Sequence, residues 1–396
     1  MIFSMIFEAQ IAGPTPESEQ QTFRDCVEQA VLGEEIGLDR IWAVEHHALV
    51  EYAHMSAPEV FLSFVAARTS RIRIGHGVVC APFRYNHPVR IAERTATLDI
   101  LSNGRLDVGF GRGATPRETG TFGITAEDTQ VQLDEVLHML PGIWTDDEFS
   151  YSSDTIEIPP RNIVPKPQQR PHPPLFMACT KEATLEMAGS LGVGALALGF
   201  AGPDDIAEKN KVYRAAVARR QPGDVAGKFA NDHLSALCPA IVLDDAARAR
   251  QVGFSGQRFF MESLNQWSRG GPKPEPATYG DSEQVLKEQS KNLEMQFGSE
   301  LVKMTDATER RDAEQKAGMH LTRQEQAYGT PADCIAYVQR LIDAGADEIM
   351  FLIQMGTVPQ DVCLETIRNI GTYVLPHFRA LEEANTLGRT PEPALS

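Results

Sequence analysis

No run of basic residues stands out in the 396-residue chain, where Asp and Glu outnumber Lys and Arg 54 to 37 for a formal charge of −17. Binding a phosphate backbone needs clustered cations, so nucleic acid is not an expected partner. Also missing is any window of about 18 apolar residues; the apolar runs are short and broken by Gly, Pro or charge, and no membrane span is expected. The N-terminal MIFSMIFEAQ lacks a basic leader and a small-residue cleavage site. It reads as a first strand rather than a signal peptide, which makes the cytoplasm the expected location. Cys26, Cys80, Cys179, Cys238, Cys334 and Cys363 include no short-spaced pair. That excludes a zinc ribbon and a disulfide framework, and leaves the cysteines as small core residues.

What is present is alternation. Short β-rich runs fall near Ile2–Glu8, Arg40–Val44, Ile72–Val79, Arg105–Phe110, Pro174–Ala178, Gly194–Leu198, His233–Val242 and Glu348–Ile353. Stretches of helical period separate them, near Glu19–Ile36, Pro58–Arg68, Val89–Leu101, Ala126–Ile143, Lys181–Ser190, Pro203–Arg219 and Pro331–Ala344, with Pro359–Leu375 after the last strand. Eight strand–helix units joined by right-handed crossovers close into an α/β (β/α)8 TIM barrel. Residues 1–381 are expected to form this single domain, with two insertions near the active-site face. One, 148–174, carries a hairpin-like FSYSSDTIEI and a proline-rich run; the other, about 244–329, is charged and Gln-rich, with helical content but no β unit of its own. Residues 382–396 read as a mobile tail.

In such a barrel the chemistry sits where strands end. The second strand runs into Glu45-His46-His47, with His54 close behind. Side chains alternate along a strand, so His46 and His47 cannot share one mouth; one is a catalytic candidate and the other packs or caps. A metal site would need more converging ligands, and histidines satisfied by backbone remain the simple alternative. The fourth strand ends in Gly111-Arg112-Gly113, a guanidinium fork between glycines that suits phosphate or carboxylate, unless Arg112 merely pairs with an acid such as Glu118. The fifth leads through Cys179-Thr180-Lys181 into a helix. Thr180 is a candidate N-cap there, either a plain cap or, with Arg112 on the adjacent strand, half of a phosphate clamp. Gly75 and Gly77 interrupt the third strand, for a flat ligand against the backbone or, at Gly77, for a bulge. Leu196, Leu198, Phe200, Phe351 and Met355 close strands six and eight, as core or as an apolar mouth suited to a planar cofactor.

VEHH, RIRIGHGVV, HPVRIAERTATLDILSNGRLDVGFGRG, FMACTKEATLEMAG and GTPADCIAYVQRLIDAGADEIMFLIQMG together resemble the bacterial-luciferase-like flavin-dependent monooxygenases, over about residues 1–200 and 329–378. The resemblance implies a barrel that binds reduced FMN, delivered by a separate flavin reductase. With O2 it would form a flavin hydroperoxide and oxygenate a small, largely apolar organic substrate. By position, His46 is similar to the family's catalytic histidine, and Arg112 to the arginine on the flavin phosphate. Thr180, Lys181 and Thr184 match the rest of the phosphate shell. Gly77–Val78 matches a non-prolyl cis peptide under the flavin ring. A homodimer through Pro58–Arg68 and Val89–Leu101 is implied as well. Luciferase itself has glutamate and serine where Thr180 and Lys181 stand, and a cysteine at Gly111, so its light reaction is not implied.

Within the family, a deazaflavin-dependent oxidoreductase transferring hydride is the competing expectation. A non-catalytic flavin-binding barrel and a metal hydrolase are further alternatives.

Overall fold

The computed structural model describes residues 1–113, 115–197, 200, 202–274, 281–301, 303–304, 313 and 325–384. Eight parallel strands form the barrel wall: β1 (Ile2–Phe7), β2 (Arg40–Ala43), β3 (Arg73–Cys80), β4 (Leu106–Gly111), β7 (Leu175–Ala178), β8 (Gly194–Ala197), β9 (Leu234–Val242) and β11 (Glu348–Leu352). β11 pairs with β1 on one side and β9 on the other, and β8 pairs with β9, so the wall closes on itself. Closure buries both faces, which is why these strands read as nearly unbroken apolar runs. Around them pack α1 (Pro16–Ile36), α2 (Pro58–Arg68), α3 (Pro88–Leu101), α5 (Ala126–Thr145), α6 (Glu182–Leu191), α7 (Pro203–Arg219), α10 (Pro331–Asp343) and α11 (Gln360–Asn369). α1 begins in a reciprocal Thr15–Ser18 capping box with Pro16 inside it, and Gly37 ends it at φ 92°, a left-handed backbone that glycine adopts without strain.

Departures from the sequence reading have local causes. A short helix, α4 (Pro116–Thr121), follows β4, opened by a Thr115–Glu118 capping box. The stretch 244–329 holds α8 (Ala246–Arg269) and α9 (Ser282–Leu301) and, against expectation, ends in a strand, β10 (Ala327–Gly329). β9 is nine residues long; its first half pairs with β11, and Ala240–Val242 are left for β10. The last helix runs past its expected end: a π-helical turn at Ile370–Val374 joins α11 to α12 (Leu375–Glu383), where Pro376 sits in a first turn that needs no N–H from it.

Residues 148–174 do contain a hairpin, β5 (Phe149–Ser152) with β6 (Glu157–Arg161). Its expected position over the functional face is wrong. The proline-rich run carries α5 back to the start of β7, so it crosses the opposite end: Gln169 bonds Asp99 and the Leu106 carbonyl, and Arg73 donates to Gln169. Leu198 and residues 385–396 of the expected tail lie outside the described residues.

A charged network fills the barrel at the N-terminal ends of the strands. Arg40 donates to Asp107 and Glu348, each at 2.7 Å; Trp42 Nε1 donates to Glu348, and His233 Nε2 lies 2.8 Å from it. Burial opposes the Glu348 charge, but Arg40 and His233 prevail and hold its carboxyl at about 2. A carboxyl lowered in the folded state stabilises the fold above its unfolded pKa of about 4.3, and that stabilisation is lost as pH falls toward 2. Glu348→Ala should therefore lower the unfolding free energy by about 3–5 kcal/mol at neutral pH, because buried Arg40 loses one of its two acids and is left sharing Asp107 with Arg73. Urea denaturation at pH 7 and pH 3 measures both effects: a mutational cost that is the same at the two values would remove Glu348 ionisation from the account.

Candidate active site

Beyond β2 the chain leaves the sheet, and the His46 backbone N–H donates to Met55 O at 3.0 Å. His46 Nδ1 then lies 2.8 Å from Glu118 Oε1, and Nε2 lies 3.7 Å from Glu8 Oε2 at the end of β1. Tyr52 meets the imidazole edge-on at 5.2 Å; Phe260 of α8 packs on Tyr52 and on Phe200. His47 turns the other way, 3.0 Å from Glu45 Oε1, stacked on Tyr85 and edge-on to Phe122. His54 bonds the Val50 carbonyl and faces Glu19, so it does not join this cluster.

Glu118 organises the centre. Its Oε1 also accepts the His47 N–H, and its Oε2 accepts both the backbone N–H and the hydroxyl of Thr115. The capping box of α4 thus orients the carboxylate that holds His46. Glu118 is paired here, and not, as the sequence allowed, with Arg112. Neither Glu118 nor Glu8 was singled out for the site from the sequence. The Thr-x-x-Glu box and an acid at the end of the first strand were the signals that could have found them.

Burial disfavours each charge in this group, and neighbours decide the outcome. His46 is desolvated, but Glu118, Glu8 and Glu45 raise its pKa to about 9. Burial would also raise Glu118, yet the His46 and Thr115 bonds keep it below its ordinary value. Glu8 is pushed up to about 7, by burial first, with His46 opposing and Glu118 adding. The group that titrates near neutral pH is therefore Glu8, while His46 stands as an imidazolium, contrary to the titration expected of a lone histidine.

Across the mouth, Arg112 follows β4 and donates to Gln130 Oε1 at 2.7 Å, and Gln130 Nε2 reaches Met187 of α6. Lys181, rather than Thr180, is the N-cap of α6; Thr184 Oγ1 accepts the Lys181 N–H and donates to its carbonyl. Gln130 thus links Arg112 to α6, and a guanidinium and a helix start are each groups of a kind that suits a phosphate. The Gly77–Val78 peptide is cis. Inside the barrel, however, the room over Gly75 and Gly77 belongs to Trp42: a Cβ on Gly75 would lie 2.3 Å from the indole and one on Gly77 3.1 Å from Trp42 Cβ. Packing against Trp42 by itself accounts for glycine at 75 and leaves little room at 77, and the shifted β3–β4 register between His76 and Val79 fits the bulge alternative.

Glu118→Gln removes the charge beside His46 and should lower the imidazole pKa by at least about one unit, equivalent to ~1.4 kcal/mol. Histidine NMR titration of the two proteins reads this directly; an unmoved His46 titration would mean that Glu8 and Glu45 suffice.

A family model described as "Luciferase-like monooxygenase" matches residues 1–348. Among known proteins, the chain is 31% identical over 176 residues to the flavin-dependent trigonelline monooxygenase oxygenase component of Acinetobacter baylyi, covering 43% of this chain and 47% of that one. It is 33% identical over 187 residues to an F420-dependent glucose-6-phosphate dehydrogenase of Amycolatopsis mediterranei, with shares of 46% and 55%. The chain thus spans about half the length of the curated relatives it matches. The fold is that of monooxygenase RslO1 from Streptomyces bottropensis, with a TM-score of 0.74 at 23% identity, covering 96% of this chain and all of that one. The chain belongs to the luciferase-like monooxygenase family.

Proposed function

We propose that the chain is the oxygenase of a two-component system. It would take reduced FMN from a separate flavin reductase, and use it with O2 to oxygenate a small, largely apolar organic substrate. The observation that carries this reading is the His46 imidazole, fixed by Glu118 at one side of the mouth, with Arg112, Lys181 and the α6 start beyond the strand ends at the other. Those groups suit the phosphate of FMN, with Thr180 and Thr184 beside them. The Gly77–Val78 edge and the wall of Tyr52, Phe260 and Phe200 suit a flat ring. When bound, the reduced flavin supplies the electrons and activates oxygen. His46 then contributes a fixed positive charge and a proton on Nε2 where negative charge develops, and Glu8 exchanges a proton near neutral pH. The aromatic wall keeps water from the reacting atoms. A relative named as an oxygenase component supports the separate reductase.

A second reading, a deazaflavin-dependent oxidoreductase, is favoured by the F420-dependent relatives and by Glu8, whose raised pKa suits a proton donor in hydride transfer. A homodimer is the expected assembly, since Val60 and Phe64 on α2 and Ile100 and Leu101 on α3 leave large apolar side chains exposed. Sedimentation that returns a monomer would remove it.

Anaerobic titration with reduced FMN, oxidised FMN and F420, followed by mixing with oxygen, separates the readings. Tightest binding of reduced FMN, with a transient absorbance unlike either stable redox form, is expected; tight F420 binding and inertness to oxygen would overturn the oxygenase. Affinity for reduced FMN should fall as pH rises through about 9 and the His46 cation is lost. His46→Ala should cut productive turnover roughly 10²-fold while raising peroxide release per FMN oxidised; unchanged coupling would take His46 out of the mechanism.

A further inference from the structure

Helix α8 touches both the scaffold and the candidate site. Its first half is locked onto the barrel: a Cβ on Gly253 would lie 2.5 Å from the Tyr328 ring of β10, and one on Gly256 2.8 Å from Val358. Tyr328 Oη donates to Gln257 Oε1 at 3.2 Å, and the Ser255 and Thr357 hydroxyls bond at 2.9 Å. Its second half reaches the mouth. Phe260 packs on Tyr52 at 5.1 Å, and Tyr52 meets His46 edge-on at 5.2 Å. Two helical turns further, and so on the same face, the Trp267 ring lies beneath the guanidinium of Arg117, 5.5 Å from the ring centre.

Arg117 immediately precedes Glu118 in α4, the six-residue helix whose capping box aims the carboxylate at His46. One anchored helix therefore reaches both members of the pair through one intermediary each: His46 through Tyr52, and Glu118 through Arg117. A helix as short as α4 gains little order from its own hydrogen bonds, so tertiary contacts must hold it. The ring of Trp267 is such a contact, and Arg117 makes no ion pair among the described residues. Trp267 Nε1 is buried and has no partner among the described residues, so the position uses the face of the ring and not its N–H.

We infer that Trp267 is a positioning residue of the candidate site: from α8 it holds Arg117, and with it α4, so that Glu118 stays against His46 Nδ1 while Phe260 steadies the imidazole through Tyr52. Trp267 is not a catalytic residue in this account. The inference rests on the reading of the His46–Glu118 pair as the reactive centre, and it makes assembly of that pair depend on the docking of α8.

Trp267 carries no charge, so its removal can alter His46 only through geometry. Trp267→Ala deletes the ring, and Trp267→Phe keeps a face for the guanidinium and loses only the unpartnered N–H. Trp267→Leu keeps apolar bulk without a π face, and is read in the same way as the alanine variant should that one fail to fold; thermal melting decides this. Histidine NMR titration, run without flavin or substrate, is expected to place His46 at least about half a pH unit lower in the alanine variant, as Glu118 withdraws, and close to wild type in the phenylalanine variant. A His46 titration unmoved by loss of the ring overturns the inference, and so does an equal fall in all variants. Peroxide released per reduced FMN oxidised is read separately. If it is unchanged while the His46 titration falls, the positioning role stands and the proposed part of His46 in the oxygenase reaction fails.

Discussion

The barrel closes around a buried carboxylate. Glu348 opens β11, the strand that meets β1 and so joins the last unit to the first, and it receives Arg40 from β2, Trp42 from β2 and His233 from the start of β9. Asp107 of β4 takes the other side of Arg40 and also binds Arg73 of β3. Strands from around the wall are thus joined through their centre as well as through their edges. Buried charges of this kind tolerate little misplacement, because each is compensated only while its partners are in position. The arrangement fixes register where an apolar core alone would accept several packings.

At the other end the same physics shifts protonation rather than fixing a charge. The Glu348 carboxyl meets Arg40 and His233 and is held ionised; the Glu8 carboxyl meets His46 and a second carboxylate, and burial lifts it toward neutrality. The contrast comes from the neighbours, since both groups are removed from water. His46 gains a stable charge from three acids, and Glu118 is available to hold it only because a six-residue helix folds back after β4 with its capping glutamate turned inward. A helix cap, ordinarily a local device, here orients a side chain of the mouth.

Much of the architecture was legible in the sequence. All eight wall strands and their helices follow from the alternation of apolar runs with helical period, because burial on both faces leaves strong compositional marks. β10 was not legible: three residues carry no period, and what makes them a strand is the unpaired second half of β9. The place of residues 148–174 was misread because length and proline content say that a segment is unusual without saying which end of the barrel it crosses; connectivity, running from a helix back to a strand, was the better guide. In the candidate site, the strand-end rule singled out His46 and Arg112, and both do lie beyond the C-terminal ends of their strands. It could not reveal that Glu118 belongs to His46, a pairing 72 residues apart in sequence, nor that Trp42 claims the space over Gly75 and Gly77.

Trp42 joins the two ends of the molecule. Its indole N–H is anchored on Glu348, its ring lies against Gly75, and its Cβ lies beneath Gly77, next to the cis peptide. In barrels of this class one face carries durability and the other carries chemistry, and the two are commonly free to drift apart. Here a single aromatic strut spans them, so a substitution among the floor residues bears on the ledge above, and changes selected for a sturdier scaffold reach the candidate site at the same time.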